Sequence, residues 1–287
     1  RFTLRSSFEV VLIHGSIIIA RRMGYGKKII LGDKNLKNAE AIAEIMNHAG
    51  FDAVPFEMDL SSRKSIQGMI AEAQHYGEIK YLVNGAGVSP SQASIETILK
   101  VDLYGTAVLL EEVRKVIKEG GAGIVISSQS GFRMKQLSQE EDRALATTPT
   151  EELLHLDLLQ PGRIENTLQA YQLAKRCNEK RVMYEAVEWG KCGARINDIA
   201  PGIIVTPLAI DEFNGIRGEF YKNMFAKCPA GRPGTADEIA DVAELLMSER
   251  AQFITGATFL ADGGATASFY YGPLQPGSAT GMAEGKK

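Results

Sequence analysis

The chain alternates short runs of consecutive apolar residues with longer segments in which apolar residues recur every three or four positions. Continuous apolar runs are typical of strands covered by helices on both faces, and the longer period is typical of amphipathic helices. Strands are therefore predicted at residues 9–13, 28–31, 53–58, 79–83, 123–127, 194–199 and 257–260. Helices are predicted at residues 18–23, 36–49, 61–75, 94–118, 170–189 and 236–247.

Strand and helix alternate in this order, which predicts a parallel sheet with helices on both faces. The predicted fold class is α/β: a doubly wound, Rossmann-type, three-layer sheet of about seven strands in a single domain. We expect the domain to span residues 9–265, with 1–8 as a remnant or tail and 266–287 as a C-terminal tail. From Gly272 the tail is rich in Gly, Pro, Ser and Ala, which predicts poor order or a use in subunit contacts.

Four polar side chains directly follow four of the predicted strands. They are Asp33, Asp59, Asn84 and Ser128. The carboxyl ends of parallel strands meet at one edge of a sheet, and ligands of such sheets bind beyond that edge. These four residues therefore mark the predicted ligand site.

A tyrosine and a lysine lie about one helical turn apart in the segment Ala-Tyr-Gln-Leu-Ala-Lys, residues 170–175. This spacing places the side chains of Tyr171 and Lys175 on one face of the predicted helix. An ammonium close to a phenol favours the phenolate, so the pair could serve as an acid–base device near neutral pH. A surface tyrosine and lysine a turn apart are also common, and the spacing alone does not choose between the two interpretations.

The composition is that of an ordinary globular protein, with 45% hydrophobic and 23% charged residues among 287. A net charge of −3 gives no indication of a nucleic-acid or anionic-membrane partner. No apolar run has the length of a membrane span, and the N-terminus lacks the layout of a secretory signal. The cysteines and histidines are scattered without metal-binding spacing, so we expect reduced thiols, no metal and a cytoplasmic location.

Short motifs follow the predicted strands in a consistent order. They are Asp59-Leu60, Asn84-Gly85-Ala86-Gly87, Ser127-Ser128-Gln129-Ser130-Gly131, Tyr171-x-x-x-Lys175, Pro201-Gly202-Ile203-Ile204-Val205-Thr206 and Asp262-Gly263-Gly264. Each motif is weak alone. Together and in this order, they resemble the short-chain dehydrogenase/reductase superfamily over residues 9–265.

This resemblance implies hydride transfer between a nicotinamide and a ketone or secondary alcohol. Tyr171 would be the general acid in reduction and the base in oxidation, with Lys175 favouring the phenolate and binding the nicotinamide ribose. Ser128 would hydrogen-bond the substrate oxygen and stabilise developing charge. The other cofactor-binding residues that the resemblance implies are Leu60, Asn84, Gly85, Ala86, Pro201, Gly202, Ile204 and Thr206.

Two acidic residues bear on the choice of cofactor. Asp33 ends a strand where an acid would accept hydrogen bonds from the adenosine ribose and repel a 2′-phosphate. NAD is therefore preferred over NADP, although Lys34 and Lys37 keep NADP open. Asp59 resembles the family's adenine-contacting acid, and it is also placed to cap the following helix, for which Ser61 is another candidate cap.

The first strand lacks the glycine-rich loop of the family, in which three glycines let the pyrophosphate approach a helix N-terminus. The segment His14-Gly15-Ser16-Ile17 keeps one glycine, and the spacing to Asp33 is about three residues shorter than in the family. Either the loop is altered and binds the cofactor weakly, or the protein is a non-catalytic relative, or the sequence lacks loop residues. The third explanation is preferred because the catalytic set is intact, so Gly15, Ser16 and Ile17 remain expected cofactor contacts.

Asp102 is a second departure, since the family usually has Asn there, holding a water in the proton relay beneath Lys175. Asp102 could hold that water as an acceptor and would raise the pKa of Lys175. Alternatively, it bonds only to backbone within a helix. Asp102 is therefore a candidate catalytic residue with Ser128, Tyr171 and Lys175.

The spacing before Tyr171 is a third departure. Ser128 and Tyr171 are 43 positions apart, whereas about a dozen residues are common in the family. The predicted helical insertion, residues 132–166, could cap the substrate or form an arm in a subunit interface. Its leucines could line the substrate site or pack the insertion onto the domain, which is the commoner outcome.

The predicted function is an NAD(P)-dependent oxidoreductase acting on a small ketone or secondary alcohol, hydrophobic or cyclic in character. A 3-oxoacyl-thioester reductase is a second possibility. Basic residues near the site entrance would support its carrier-protein partner, but residues 213–227 are of mixed charge and do not decide the question. A dinucleotide sensor or scaffold without turnover is a third, supported by the altered loop and opposed by the intact catalytic set. The family commonly forms dimers or tetramers through its long helices, so a homodimer or homotetramer is expected.

Overall fold

A seven-stranded parallel sheet organises the protein in the computed structural model, which describes residues 8–215 and 218–276. The strand order is β3-β2-β1-β4-β5-β6-β9, and a separate two-stranded ladder joins β7 to β8. The strands are β1 (Phe8–His14), β2 (Lys28–Asp33), β3 (Asp52–Glu57), β4 (Gly77–Asn84), β5 (Ala122–Ile126), β6 (Arg195–Pro201), β7 (Ile204–Val205), β8 (Gly234–Thr235) and β9 (Thr258–Ala261). The predicted doubly wound α/β fold is confirmed.

Helices cover both faces of this sheet. They are α1 (Ile17–Met23), α2 (Leu36–His48), α3 (Arg63–Tyr76), α4 (Ile95–Ile98), α5 (Thr106–Arg114), α6 (Gln139–Thr147), α7 (Thr167–Lys191), α8 (Pro207–Asn214), α9 (Gly218–Lys227), α10 (Ala236–Met247) and α11 (Ala265–Tyr271). Apolar side chains of α1, α2 and α10 form the core on one face, and those of α3, α5 and α7 form it on the other. The structure is therefore a three-layer sandwich.

The connection order places a crevice at the centre of the sheet. β1 pairs with β2 on one side and with β4 on the other. The chain therefore first adds β2 and β3 on one side of β1 and then continues the sheet from β4 on the opposite side. At such a reversal, the loops beyond the carboxyl ends of the two central strands separate and leave room for a ligand. His14 and Asn84 end these two strands and face each other in register.

The long helical region predicted for residues 94–118 is present, but it ends earlier than predicted and is not α-helical throughout. The segment is α4, a π-helical stretch (Leu99–Gly105) and α5, which ends at Arg114. Gly105 lies so close to the backbone of Leu60 that a Cβ there would collide with the Leu60 carbonyl oxygen. This long-range contact, and the wider π-helical turn beside it, leave no signal in the local periodicity.

The predicted cap of α3 is also wrong by one residue. Ser62 occupies the N-cap position, and its side chain accepts a hydrogen bond from the backbone nitrogen of Ser65. Ser61 instead donates from both its backbone nitrogen and its hydroxyl to one carboxylate oxygen of Asp59, at 2.9 and 2.6 Å. Asp59 therefore forms a turn before the helix rather than its cap.

The insertion packs closely against the domain. It contains α6, which begins with a capping box between Ser138 and Glu141, and 3₁₀ helices at Thr150–His155 and Asp157–Leu159. Three of its leucines are fully buried in one apolar cluster with residues of the π-helical stretch and α7; they are Leu145, Leu153 and Leu159. These leucines pack the insertion onto the domain, which was the second of the two outcomes expected for them.

The C-terminal region differs from the predicted tail. Residues 265–271 form α11, and Leu274, with 1% of its surface exposed, packs against Met224 and Cys228. Order therefore extends past Gly272 because an apolar side chain anchors the chain there. Residues 1–7 and 277–287 lie outside the described residues. Among the residues that are described, no helix is both long and apolar enough to span a membrane.

Candidate functional site

Tyr171 and Lys175 lie in the first turns of α7, whose start is capped by the side chain of Asn166. The Lys175 ammonium nitrogen is 5.3 Å from the centre of the Tyr171 ring. Lys175 is buried, and its ammonium also lies 3.5 Å from the carbonyl oxygen of Ile126, the last residue of β5. The helix therefore delivers the predicted acid–base pair to the carboxyl end of the central strands.

Ser128 reaches the same place from β5. It begins a short 3₁₀ turn and accepts a hydrogen bond from the backbone nitrogen of Ser130, which leaves its own proton free to donate. The turn touches α7 at Gly131, where a Cβ would come 3.0 Å from the nitrogen of Arg176. Only glycine lets the Ser128 turn rest directly on the helix beside Lys175.

Asp102 completes this group from the π-helical stretch. One carboxylate oxygen accepts a hydrogen bond from the backbone nitrogen of Val88 at 2.8 Å, and the other lies 3.7 Å from the Lys175 ammonium. With its amide nitrogen turned towards the neighbouring oxygens, Asn178 also donates to the backbone carbonyl of Asp102 at 2.9 Å. Asp102 therefore bonds to backbone and also faces Lys175, while its binding of a relay water stays a prediction.

Burial and charge oppose each other at Lys175. Burial acts to lower the pKa of its ammonium, but electrostatic interactions with Tyr171, Asp102 and Asp198 together outweigh burial, so this pKa is raised. The direction is the one expected from the presence of Asp102. Burial also raises the pKa of the Asp102 carboxyl, and Lys175 acts in the opposite direction.

The central crevice has features that fit a dinucleotide. Gly15 adopts a φ of +79°, and a Cβ there would come 2.8 Å from the backbone nitrogen of Ala86, so the short turn after β1 lies against Ala86. Two buried atoms at the ends of β1 and β4 have no hydrogen-bond partner among the described residues, the His14 Nδ1 and the Asn84 Oδ1. Ser16 begins α1 without a side-chain cap, and α1 has only seven residues.

The remaining motif residues are distributed around this crevice. Leu60 is buried in the core, Gly85 donates from its backbone nitrogen to the His14 carbonyl at 2.8 Å, and Ile17, the first residue of α1, packs against the core. Gly202 lies against Asp262, where a Cβ would come 2.7 Å from the Asp262 Cα. The Thr206 hydroxyl accepts from the nitrogen of Ala209 and so begins α8.

Asp33 lies at the end of β2, as predicted. One of its oxygens accepts a hydrogen bond from the backbone nitrogen of Asn35 at 2.8 Å, and the other has no hydrogen-bond partner among the described residues. Lys34 is one of the two lysines for which NADP remained a possible cofactor. Its ammonium lies 3.1 Å from a carboxylate oxygen of Asp59. The cation nearest to Asp33 in sequence is therefore paired with Asp59.

Comparisons with known proteins agree with this geometry. The sequence model described as short chain dehydrogenase matches residues 15–139, and one described as enoyl-(acyl carrier protein) reductase matches residues 135–266. The short-chain dehydrogenase/reductase bsc3 of Alternaria brassicicola is 35% identical over 87% of this chain and 91% of its own length. The chain belongs to the short-chain dehydrogenase/reductase family.

Solved structures show the same fold. A 7α-hydroxysteroid dehydrogenase complexed with NADH and 7-oxo glycochenodeoxycholic acid superimposes with a TM-score of 0.72 at 20% identity, covering 89% of this chain and 93% of that one. A short chain dehydrogenase from Burkholderia cenocepacia in complex with NADP gives a TM-score of 0.69 at 18% identity, covering 90% and 97%. This short-chain dehydrogenase/reductase is an oxidoreductase of a family that acts on CH–OH groups.

A substitution at Asp102 tests whether its charge matters to this enzyme. Asp102→Asn keeps the oxygen that accepts from Val88 and removes the negative charge beside Lys175. Loss of a general acid or base lowers kcat by at least about 100-fold. Because Asp102 acts only through Lys175, we expect a smaller fall in kcat than this. Asp102→Leu, which also removes the acceptor, should lower kcat further. Steady-state measurements of kcat across pH would show the difference between the two variants. Equal losses of kcat in both would contradict the role given to the acceptor oxygen.

A cavity of about 280 Å³ opens beside the Gly202–Ile204 segment. Its lining combines apolar side chains, such as Met224, Phe225 and Leu260, with the charged residues Arg232, Glu238 and Asp262. Gln129, the residue after Ser128, also lines it; its side chain is buried and its carbonyl oxygen has no hydrogen-bond partner among the described residues. The cavity is therefore of mixed polarity, and the residue after Ser128 contributes an unpaired acceptor to it.

Sequence reasoning missed several residues of this site. Gln129 was read only as part of a motif, and His14 only as part of the altered loop. Burial lowers the pKa of His14 to about 4, against the opposing influence of Asp33, Asn84 and Asp59. A histidine that ends an otherwise apolar strand is the signal that could have drawn attention to it.

Proposed function

We propose that this enzyme transfers a hydride between a nicotinamide dinucleotide and a ketone or secondary alcohol, with Tyr171 as the general acid and base. The observation that carries the proposal is the meeting of three elements at one sheet edge: α7 brings Tyr171 and Lys175, the β5 turn brings Ser128, and the π-helical stretch brings Asp102. The nicotinamide, when bound, supplies or accepts the hydride. The protein must therefore hold the substrate oxygen and move one proton.

Each side chain has a part in that proton transfer. In reduction, the Tyr171 hydroxyl gives its proton to the substrate oxygen, and in oxidation the phenolate takes it back. The Lys175 ammonium stabilises the phenolate, because it is held by burial and by Asp102 at a fixed place beside the ring. The Ser128 hydroxyl, whose proton is free, donates to the same substrate oxygen as negative charge develops there.

NAD is the proposed cofactor. Asp33 has a carboxylate oxygen available for ribose hydroxyls and would repel a 2′-phosphate, and Lys34 is drawn to Asp59. A structural neighbour with NADH and another with NADP show that this fold takes either, so the preference rests on these side chains. The residues that would hold the dinucleotide are Gly15, Ser16, Ile17, Asp33, Asp59, Leu60, Asn84, Gly85, Ala86, Pro201, Gly202, Ile204 and Thr206.

Titration of the purified protein with NADH and NADPH, followed by nicotinamide fluorescence, tests both cofactor and function. We expect NADH to bind at least about tenfold more tightly than NADPH, a difference of about 1.4 kcal/mol. In Asp33→Asn, which keeps the acceptor but removes the repelling charge, the preference should shrink. Failure to bind either dinucleotide would refute the proposed reaction and show that the turn after β1 does not hold the pyrophosphate.

The substrate we propose is a hydrophobic or cyclic ketone or alcohol. The steroid in one structural neighbour supports this, as do Met224, Phe225 and Leu260 in the cavity beside Gln129. The second candidate is reduction of a 3-oxoacyl thioester, which is favoured by the acyl-carrier-protein reductase description of the C-terminal match. Rates with cyclic ketones and with 3-oxoacyl thioesters, measured side by side, would decide between the two.

A further inference from the structure

An arginine near the start of the insertion follows the Ser128 turn closely and has no part in the reaction described above. It is Arg133, the fifth residue after Ser128. Its backbone nitrogen donates to the Ser130 carbonyl, and its carbonyl accepts from the side chain of Gln172, the residue after Tyr171, both at 3.3 Å. Five residues span at most about 18 Å even when fully extended, so a single small molecule can reach both Ser128 and Arg133.

The side chain of Arg133 lacks a partner that matches its charge. Arg133 is half-buried, and its one hydrogen bond to a described residue runs from the Nη1 to the Met224 sulfur at 3.4 Å, a weak acceptor. Its guanidinium carbon lies 5.9 Å from the centre of the Phe269 ring. A guanidinium has five N–H donors and stays charged in proteins, so a sulfur and an aromatic ring leave most of these donors unused.

The carboxylate of Asp262 does not supply that partner. Both of its oxygens accept hydrogen bonds from backbone nitrogens at the start of α11, one from Gly264 at 2.9 Å and one from Thr266 at 2.7 Å. Among the described residues, no carboxylate forms an ion pair with Arg133. Burial lowers the pKa of its guanidinium, against the opposing influence of Asp262 and Tyr270. A charge withdrawn from water without a counter-charge costs free energy, which a purely structural role does not explain.

Arg195 shows how this protein satisfies an arginine that has a structural role. Like Arg133, it is half-buried and has no carboxylate partner among the described residues. Its guanidinium nevertheless donates to three backbone carbonyls, those of Leu246 at 2.8 Å, Ser248 at 3.2 Å and Ile254 at 3.1 Å. Arg133 donates to no carbonyl of the described residues. Its unused donors therefore indicate a ligand rather than a structural contact.

The surroundings of Arg133 indicate what that ligand carries. Met224, which the guanidinium contacts, lines the cavity described above, so a rotation of this flexible side chain opens the guanidinium to a molecule in the cavity. The arginine in the cavity lining, Arg232, is already paired with Glu238 at 2.7 and 2.9 Å. One free guanidinium beside the negative charge of Asp262 suits a single negative charge, and its fork of N–H groups matches a carboxylate. A phosphate, with about two charges, would need more cations.

We propose that Arg133 is a substrate-binding residue, and that the substrate carries a carboxylate which pairs with its guanidinium while the ketone or alcohol lies at Ser128 and Tyr171. This inference rests on the reaction proposed above. It narrows the substrate class to oxo acids and hydroxy acids whose carboxylate is remote from the reacting carbon, because Arg133 lies beyond the far end of the Ser128 turn. The apolar side chains of the cavity contact the carbon skeleton between these two ends. The pairing supplies the counter-charge that Arg133 lacks among the described residues.

Arg133→Met tests the proposal, because methionine keeps much of the apolar stem of the side chain and removes its charge and donors. The probes are carboxylic acids that carry a cyclohexanone ring on alkyl chains of increasing length, each compared with its own methyl ester. In the wild type, we expect kcat/KM for the best acid to exceed that for its ester by at least about tenfold, as one charged hydrogen bond predicts. In R133M, acid and ester should agree within about threefold. Lys135→Met, which removes an exposed cation two positions away, should keep the wild-type ratio.

Two further measurements need no turnover. Isothermal titration of the acids into the protein without cofactor should show binding at least about tenfold weaker in R133M than in the wild type. The melting temperature of R133M should be no lower than that of the wild type, because an unpaired guanidinium adds little to stability, whereas Arg195→Met should lower it.

Acids that neither bind nor react better than their esters in the wild type would overturn the proposal. A melting temperature that falls as far in R133M as in R195M would also overturn it, since Arg133 would then be a structural residue. Acid binding that depends on Arg133 but leads to no turnover would instead refute the proposed reaction and leave the carboxylate site in place.

Discussion

Replacing Tyr171 by phenylalanine is expected to lower kcat by about 10³-fold, within the range that loss of a general acid or base costs. The phenyl ring fills the same space beside Lys175 but carries no proton, so the substrate oxygen loses its donor in reduction and its base in oxidation. Binding of NADH should stay within about threefold of the wild type, since the hydroxyl acts chiefly on the substrate oxygen.

Single-turnover rates and a fluorescence titration of NADH would measure these two effects separately. Tyr184→Phe is the matched control, because it makes the same substitution further along the same helix, and it should leave kcat unchanged. Wild-type activity in Tyr171→Phe would remove Tyr171 from the mechanism. A parallel loss of NADH affinity would instead mean that the hydroxyl is needed to hold the cofactor.

The largest effect on stability is expected from Trp189→Ala. Trp189 is fully buried near the end of α7, its ring nitrogen donates to the Leu110 carbonyl at 3.3 Å, and its ring fills the space over Gly123 of β5. Truncation leaves a cavity between α7, α5 and the sheet, so the free energy of unfolding should fall by about 3–5 kcal/mol.

Urea denaturation followed by circular dichroism is the suitable measurement, because Trp189 is the only tryptophan and the variant has no tryptophan fluorescence. Phe253→Ala removes another large aromatic ring, but one that is fully exposed, and it should change the free energy of unfolding by less than about 0.5 kcal/mol. A loss in Trp189→Ala no larger than in this control would show that the surrounding side chains close the cavity.

The sheet could be predicted from the sequence because its strands are continuous apolar runs separated by helical patterns. The π-helical stretch could not, since neither its wider turn nor the close approach of Gly105 to the distant Leu60 carbonyl leaves a local pattern in the sequence. The cap of α3 shifted from Ser61 to Ser62 because Asp59 takes both hydrogen-bond donors of Ser61. Local pattern identified these elements, and tertiary contacts set their ends.

The meeting of Ser128 with Tyr171 and Lys175 at one sheet edge was predictable, because these residues stand in recognisable motifs at a strand end and on one helix face. The carboxyls that contact the Ser128 turn were missed, since Asp198 is a single acidic residue within the strand Arg195–Pro201 and Glu179 is one of many charges on α7. Their burial and these contacts, a hydrogen bond from Ser127 to Asp198 and the close approach of Gly131 to Glu179, exist only in the fold. An acidic residue in the middle of a buried strand was the signal available.

The packing of the insertion limits how this enzyme can be redesigned. Leu145, Leu153 and Leu159 cover apolar side chains of α7 and of the stretch that carries Asp102, so the segment cannot be trimmed like a surface loop. A shortened chain would present that apolar surface to water and aggregate. A chimera that borrows this segment must therefore also take the helix faces beneath it, and changes of substrate range should begin with point substitutions.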